Sequence, residues 1–222
     1  MALNWNTSPR LHERLLSAVG VYGVFFGAYG FVNQHLPLTH CRDLGTSLDR
    51  LVPFVPAFIW PFNLTYPLLL LPALLLHTRR AMARACLAMA CLVLFSCAIF
   101  TLWPVCVPRP AFVPHTFSEH CVAWVYANDR PVCGFPSLHV SATLLTTLIL
   151  RRAGSRVAPA FLVSWVVIAL STLFVKQHVL MDVLGGAILA LLVDQVLIRR
   201  REERACLNNS SETHGNHPVG RA

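Results

Sequence analysis

Six long apolar blocks, separated by short polar stretches, leave this chain few ways to fold. They run roughly over 15–36, 53–77, 83–106, 136–152, 157–175 and 179–198. About 20 mostly apolar residues coiled into a helix match the hydrocarbon thickness of a bilayer. Backbone in lipid must also satisfy its own hydrogen bonds. The reading is therefore all-α: a polytopic membrane protein built as a bundle of six transmembrane helices. A composition of 55% hydrophobic and 13% charged residues in 222 excludes an ordinary soluble domain. The second block carries Pro53, Pro56, Pro61, Pro67 and Pro72, and is expected as a kinked helix or a re-entrant piece followed by a helix. The fourth is short, and its helix is expected to continue through Arg151 and Arg152, whose side chains can reach the interface. The first is long and has no clear small-residue cleavage site, so it is read as a retained helix.

The net charge of +8 is distributed by side of the membrane. With six crossings, Arg10, Arg14, Arg79, Arg80, Arg84, Arg151, Arg152, Arg156, Arg199, Arg200, Arg201 and Arg204 fall on one side. Arg42, Arg50, Arg109, Arg130 and Lys176 fall on the other. The positive-inside rule makes the first side, with both termini, cytoplasmic. The same distribution speaks against nucleic acid as a partner. Residues 1–207 read as a single membrane domain with its catalytic core at about 102–198. Residues 208–222 read as a disordered cytoplasmic tail.

Two polar islands stand at the mouths of apolar blocks: Cys133-Gly134-Phe135-Pro136-Ser137-Leu138-His139, and Lys176-Gln177-His178 followed by Asp182. Ionisable groups are costly in such places and mark functional sites. Both islands lie on the non-cytoplasmic side in the six-crossing topology, and one helical hairpin brings them to the same face. His178 and Asp182 are four residues apart, so they stack on one helix face. There the carboxylate can fix the imidazole's tautomer and make it a nucleophile. A helix-packing hydrogen bond is the bland alternative. His139, behind a helix start at Pro136 and Ser137, is placed to give a proton to a leaving oxygen, and amides at that start favour an anion. Arg109 opens the largest outer loop with a planar fork suited to phosphate oxygens. Lys176 offers a second positive group, and Ser137 a hydroxyl. Asp194 reads as an end-of-helix anchor, and Gly185-Gly186 as a place of close helix approach.

Of the eight cysteines, Cys41, Cys106, Cys121 and Cys133 fall on the side where oxidation is permitted. A Cys121–Cys133 bridge closing the loop before the fourth span is one pairing open to them. No spacing suits a structural zinc site, and no phosphate-binding glycine loop is present. Neither metal nor cofactor is expected.

Together these residues resemble the type 2 phosphatidic acid phosphatase superfamily, which also includes vanadium haloperoxidases and lipid phosphotransferases. That family's stretches are Lys-x6-Arg-Pro, Pro-Ser-Gly-His and Ser-Arg-x5-His-x3-Asp. The chain offers Arg109-Pro110 with Leu102 at the lysine position, Pro136-Ser137-Leu138-His139 with Leu138 for glycine, and Ser171-Thr172 followed by His178 and Asp182, with Thr172 for arginine. The resemblance implies a six-helix bundle of that type and a phosphohistidine at His178. It also implies that Asp182 orients the nucleophile, His139 acts as general acid, Arg109 binds phosphate and Ser137 adds a hydrogen bond. Phe-Pro-Ser-Leu-His with Lys-Gln-His looks most like the inositol phosphorylceramide synthase branch.

The first functional expectation is a membrane lipid-phosphate phosphatase, hydrolysing a phosphomonoester or polyprenyl pyrophosphate at the membrane surface, because water needs no acceptor pocket. The alternative is a lipid head-group phosphotransferase of the inositol phosphorylceramide or sphingomyelin synthase type, using an alcohol or lipid acceptor. From another class, a non-catalytic membrane protein or transporter stays open because of the kinked second block. The expected location is the inner or plasma membrane, with the active site on the periplasmic or extracytoplasmic side.

Overall fold

The computed structural model describes residues 4–199, so the tail expected at 208–222 and Arg200, Arg201 and Arg204 lie outside the described residues. The long helices are α1 (Leu11–His35), α5 (Arg79–Leu102), α7 (Leu138–Arg152), α8 (Ala158–Phe174) and α9 (Leu180–Val193). Between them come the short α2 (Ser47–Leu51) and α3 (Ile59–Asn63), then α4 (Thr65–Leu75) and the outer-loop helix α6 (Phe117–Asn128). The proline-rich second block is broken as its composition demands. A 3-10 turn at Pro56–Phe58, α3 and α4 follow one another closely, with Pro72 inside α4.

The expected bundle of six crossings is found in part. Among the described residues four stretches are long and apolar enough to cross a membrane: Leu11–His35, Pro56–Leu75, Arg79–Leu102 and Leu180–Ile198. The protein is all-α and a multi-pass membrane protein on that ground. The fourth and fifth expected spans form α7 and α8, of 15 and 17 residues. At 1.5 Å per residue these reach only about 22 and 25 Å, short of a ~30 Å hydrocarbon core.

The reason for α7 is visible in its burial. Every residue from Leu138 to Thr147 is buried, walled by α4, α5, α8 and α9. A helix wrapped by protein need not be apolar throughout. Ser141, Thr143, Thr146 and Thr147 lie inside it, and the Thr143 and Thr147 hydroxyls donate to the carbonyls of His139 and Thr143 one turn back. Helix α1 is the opposite case. Only Phe25 and Asn33 are buried along it, while Leu11, Leu15, Leu16 and Val19 face outward. Such a surface suits lipid.

The expected close approach at Gly185-Gly186 is present. A Cβ on Gly186 would lie 2.5 Å from the Ser137 carbonyl oxygen, and one on Gly185 would strike the Phe135 ring. Helix α9 therefore lies against the start of α7, and the two polar islands meet.

The ends of the bundle are tied differently. At one end Arg79 pairs with Glu13 at 2.9 Å, Arg14 donates to the carbonyls of Ala73 and Leu74, and Arg152 grips Asp194 through bonds of 2.8 and 2.6 Å. Asp194 is thus an anchor, as expected, with its carboxylate bonded to an arginine of α7. At the other end backbone bonds stitch three distant segments: Arg42 to Pro104 and Cys106, Val105 to Gly134, and Val107 to Pro131. A disulfide joins Cys41 to Cys106. The pairing considered for Cys121 and Cys133 is not formed, and both are free thiols. Cys121 on α6 packs with the Ile59–Phe62 cluster, whereas Cys133 packs in the main core beside the Asn33 amide.

Candidate functional site

The turn between α8 and α9 is built to present a histidine. The Thr172 carbonyl, near the end of α8, accepts the amides of Gln177 at 3.0 Å and His178 at 3.2 Å, folding the chain back on itself. Lys176 makes the reversal in a left-handed conformation (φ 53°), which costs a side-chain-bearing residue about 1 kcal/mol. Its ammonium then donates to the carbonyls of Asp49 and Val52, tying the turn to α2. Helix α9 starts two residues beyond His178, and carboxylates answer its first amides. Asp182 Oδ2 accepts the Val179 N–H at 3.0 Å, and Asp49 Oδ1 accepts the Leu180 N–H at 2.7 Å. Asp49 is thus a cap supplied across 131 residues of sequence.

Asp182 is fully buried, and the oxygen that caps α9 also lies 3.3 Å from His178 Nδ1. Its other oxygen has no hydrogen-bond partner. Its backbone carbonyl accepts the Ser137 N–H at 2.9 Å, so the two islands are joined main chain to main chain. Ser137 caps α7, its Oγ accepting the Val140 amide at 3.4 Å. Two residues on, His139 brings its ring to 5.9 Å from that of His178, centroid to centroid. Phe62 lies 4.3 Å from the His139 ring, and the Tyr66 hydroxyl makes a long 3.5 Å contact with Nε2.

Arg109 enters from the loop after α5. It donates to the carbonyl of Asp129 at 2.6 Å and to that of Tyr126 at 3.3 Å, and lies 4.5 Å above the Tyr126 ring. A further bond of 2.6 Å reaches Gln177 Oε1, next to His178. Its guanidinium is 3.8 Å from the Asp129 carboxylate. Burial lowers the Arg109 pKa, although Asp129 and Tyr126 oppose the shift. Burial likewise raises Asp129, against the pull of a Tyr29 hydrogen bond and Arg109. Arg109 Nε and Gln177 Nε2 are both buried donors without a partner.

A cavity of about 500 Å³ opens between α2, the Val107–Pro110 segment and the His178 turn. Arg109, Lys176 and His178 line it, with Asp49, Arg50 and Asp43. Burial lowers Lys176 here, with Asp49 opposing. Asp49 itself, although burial pushes it up, stays below the usual carboxylate range because Thr46 and Leu180 donate to it. His139 instead faces a second cavity of about 250 Å³, lined by Phe25, Tyr29, Tyr66, Trp124 and Asp129 among others.

The sequence-derived residues His139, His178, Asp182 and Arg109 thus converge. Ser137 belongs to the same junction through its backbone, with a fully buried side chain. Lys176 reaches the cavity wall with its ammonium engaged by carbonyls. Neither of the two positions where the resemblance would place a cation supplies a charge. Leu102 is 83% exposed at the end of α5, and the buried Thr172 hydroxyl donates to the Ala169 carbonyl. Sequence reasoning missed Asp49, Asp129, Phe62 and Tyr66, and gave Gln177 no role beyond its place in the polar island. Only Asp49 carried a local signal, the Thr46-x-x-Asp49 spacing of a capping box. Among the described residues no group of three or more His, Cys, Asp or Glu side chains could hold a metal ion.

A family model described as the PAP2 superfamily matches residues 44–194. That interval begins just before α2 and ends where α9 gives way to its final turn, so it contains every residue of the junction. No curated protein matches the chain.

Proposed function

The chain belongs to the PAP2 superfamily, and from that premise we propose a membrane enzyme that cleaves a P–O bond of a lipid phosphate through a covalent histidine intermediate. Superfamily membership supports phosphatase-type enzymatic activity on lipid phosphates in general. The assignment of residues is our own. His178 attacks phosphorus through Nε2 while Asp182 holds Nδ1–H and balances the imidazolium that forms. His139 gives the leaving alcohol its proton. Arg109 holds the phosphate oxygens, with Ser137 and Lys176 as further donors. The observation that carries the reading is the pair of histidine rings 5.9 Å apart, one of them 3.3 Å from a fully buried carboxylate.

Water resolving the intermediate makes the protein a lipid-phosphate phosphatase, which is the first reading. An alcohol resolving it makes a head-group phosphotransferase of the inositol phosphorylceramide synthase-like branch. The roughly 500 Å³ cavity beside His178 favours this second reading, because water alone needs no such space. We place the catalytic core at about 102–198 within a single membrane domain. α7 and α8 complete a six-helix bundle, with both termini cytoplasmic and the site on the opposite side. The arginine distribution supports that topology.

The test is a panel of phosphorus-labelled lipids given to purified wild type and H178A, with and without diacylglycerol, ceramide and inositol. An acid-labile, base-stable adduct in wild type and none in H178A is expected. Released phosphate identifies hydrolysis, and a new labelled lipid identifies transfer. Equal turnover in H178A would refute the covalent mechanism. For topology, H115C should react with an impermeant thiol reagent from outside the cell, and labelling only after permeabilisation would reverse the orientation.

A further inference from the structure

We propose that Gln177 is a catalytic residue of this site. Its side-chain amide, together with the Nε–H of Arg109, forms a two-donor pocket that receives one non-bridging phosphoryl oxygen as His178 attacks. The proposal rests on the covalent reading above and adds a residue to it.

The Gln177 amide has one workable orientation. Its Oε1 accepts an Nη2–H of Arg109 at 2.6 Å, and turning the group over would aim an NH2 at a guanidinium that can only donate. Nε2 therefore keeps two hydrogens directed elsewhere. It has no acceptor among the described residues, although Gln177 is only 5% exposed. Arg109 Nε is a second buried donor without a partner. Buried donors are normally paired. Two of them, on side chains bonded to one another and next to the nucleophile, mark a place where an acceptor arrives from outside the chain.

Both side chains line a cavity of about 10 Å³, together with Arg130, Asp129, Tyr29 and His178. That volume holds about one water-sized atom, so a single phosphoryl oxygen fits and a whole phosphate does not. The charges on its wall favour an anion. Arg109 and Arg130 set two guanidiniums against one carboxylate, that of Asp129, which the Tyr29 hydroxyl already engages at 2.5 Å. Both arginines are anchored through Nη1, Arg109 on the Tyr126 and Asp129 carbonyls and Arg130 on those of Asn33 and Gln34. Arg109 thus keeps its Nε–H and the second Nη2–H for substrate oxygens.

The main chain holds Gln177 in register with the nucleophile. Its amide and that of His178 share the Thr172 carbonyl. Two residues earlier, the Val175 carbonyl accepts the Tyr126 hydroxyl at 2.7 Å. Tyr126 therefore braces the turn with its hydroxyl and Arg109 with its carbonyl and ring. Donors fixed in this way meet charge as it develops, without rearranging. In the step itself His178 Nε2 bonds to phosphorus as the P–O bond to the leaving alcohol breaks, and His139 gives its proton to that oxygen. Gln177 and Arg109 give up no proton. They hydrogen-bond one of the equatorial oxygens over which the charge is spread. Because the amide is neutral, its contribution falls on the transition state more than on ground-state binding.

The test is calorimetric titration of two probes into the purified full chain in lipid nanodiscs. One is orthovanadate, which becomes five-coordinate on a nucleophile, and the other is inorganic phosphate. Wild type should bind vanadate about 100-fold more tightly than phosphate or better, and H178A should abolish the difference. Q177M, similar in length but without a donor, should weaken vanadate by about tenfold or more while the phosphate Kd is little changed. Its kcat on the labelled lipid that wild type turns over best should fall about 100-fold, with KM little changed. Wild-type vanadate affinity in Q177M, with H178A still deficient, overturns this proposal and leaves the covalent reading intact. Equal weakening of vanadate and phosphate in Q177M assigns Gln177 to holding Arg109 and overturns it too. Should Q177M fail to fold, Q177N draws the amide back by one methylene and is judged by the same two constants. Wild type that binds vanadate no more tightly than H178A overturns the covalent reading, and this proposal with it.

Discussion

Replacing Asp49 by alanine removes a cap that holds the nucleophile's turn from outside its own hairpin. The carboxylate accepts three bonds, from Thr46 N–H and Oγ–H at the cap of α2 and from Leu180 N–H at the start of α9, each 2.7 Å long. Losing a local cap of this kind costs about 1 kcal/mol. A bond from an amide to a charged acceptor contributes about 1.5–3 kcal/mol, and partial exposure places this one toward the lower end. The sum is about 3 kcal/mol, and for a chain of this size each kcal/mol moves the thermal midpoint by about 2–4 °C. D49A should therefore melt about 6–12 °C lower in detergent. The kinetic signature is more specific. The carbonyls that anchor Lys176 belong to Asp49 and Val52, so loosening α2 also loosens the turn before His178. Misplacing a reacting group by about 1 Å can cost on the order of 100-fold, so kcat should fall at least tenfold with KM little changed. Glutamate should restore part of the loss. Asparagine should not, because its amide would present hydrogens to a site that needs only acceptors. The measurement is steady-state turnover of the best labelled lipid, beside a melting curve. D49A with wild-type kcat, or a midpoint within about 2 °C of wild type, would refute the clamp.

Three other outcomes follow from the same geometry. R109K keeps the charge but cannot span the Asp129 carbonyl and Gln177 Oε1, each 2.6 Å away, so kcat/KM should drop about 100-fold in steady-state assays. G186A sets a Cβ 2.5 Å from the Ser137 carbonyl; overpacking of about 1–3 kcal/mol should lower the melting midpoint, with a loss of kcat as the islands separate. R152A strips both bonds from an Asp194 that is only 4% exposed; about 3–5 kcal/mol of stability should go, while KM of the remaining folded enzyme stays at the wild-type value.

The legible parts of this protein are those written in one stretch of chain. His178 and Asp182 share a helix face by spacing alone, and the Gly185-Gly186 approach follows from two missing side chains. Helix count was harder. Apolar content marked six blocks, but only four form helices long and apolar enough to count as spans by themselves, and α7 is polar inside because protein surrounds it. That depends on neighbours rather than on the segment. Contacts across long separations were illegible for the same reason. Nothing near Cys41 names Cys106 as its partner, and nothing near Tyr66 announces His139. Lys176 is instructive: its charge and position were plain, but two carbonyls more than 120 residues away decide where its ammonium lies.

The bond from the Ser137 amide to the Asp182 carbonyl has a consequence for how this architecture can vary. It fixes the spacing between the two histidine-bearing elements at the level of the main chain, where no side-chain substitution can delete either partner except proline at 137. The outer loops and the cavity walls can therefore drift, exchanging one head group for another, while the interval across which phosphorus must pass stays constant. Selection can rewrite the lock's wards without touching the bolt.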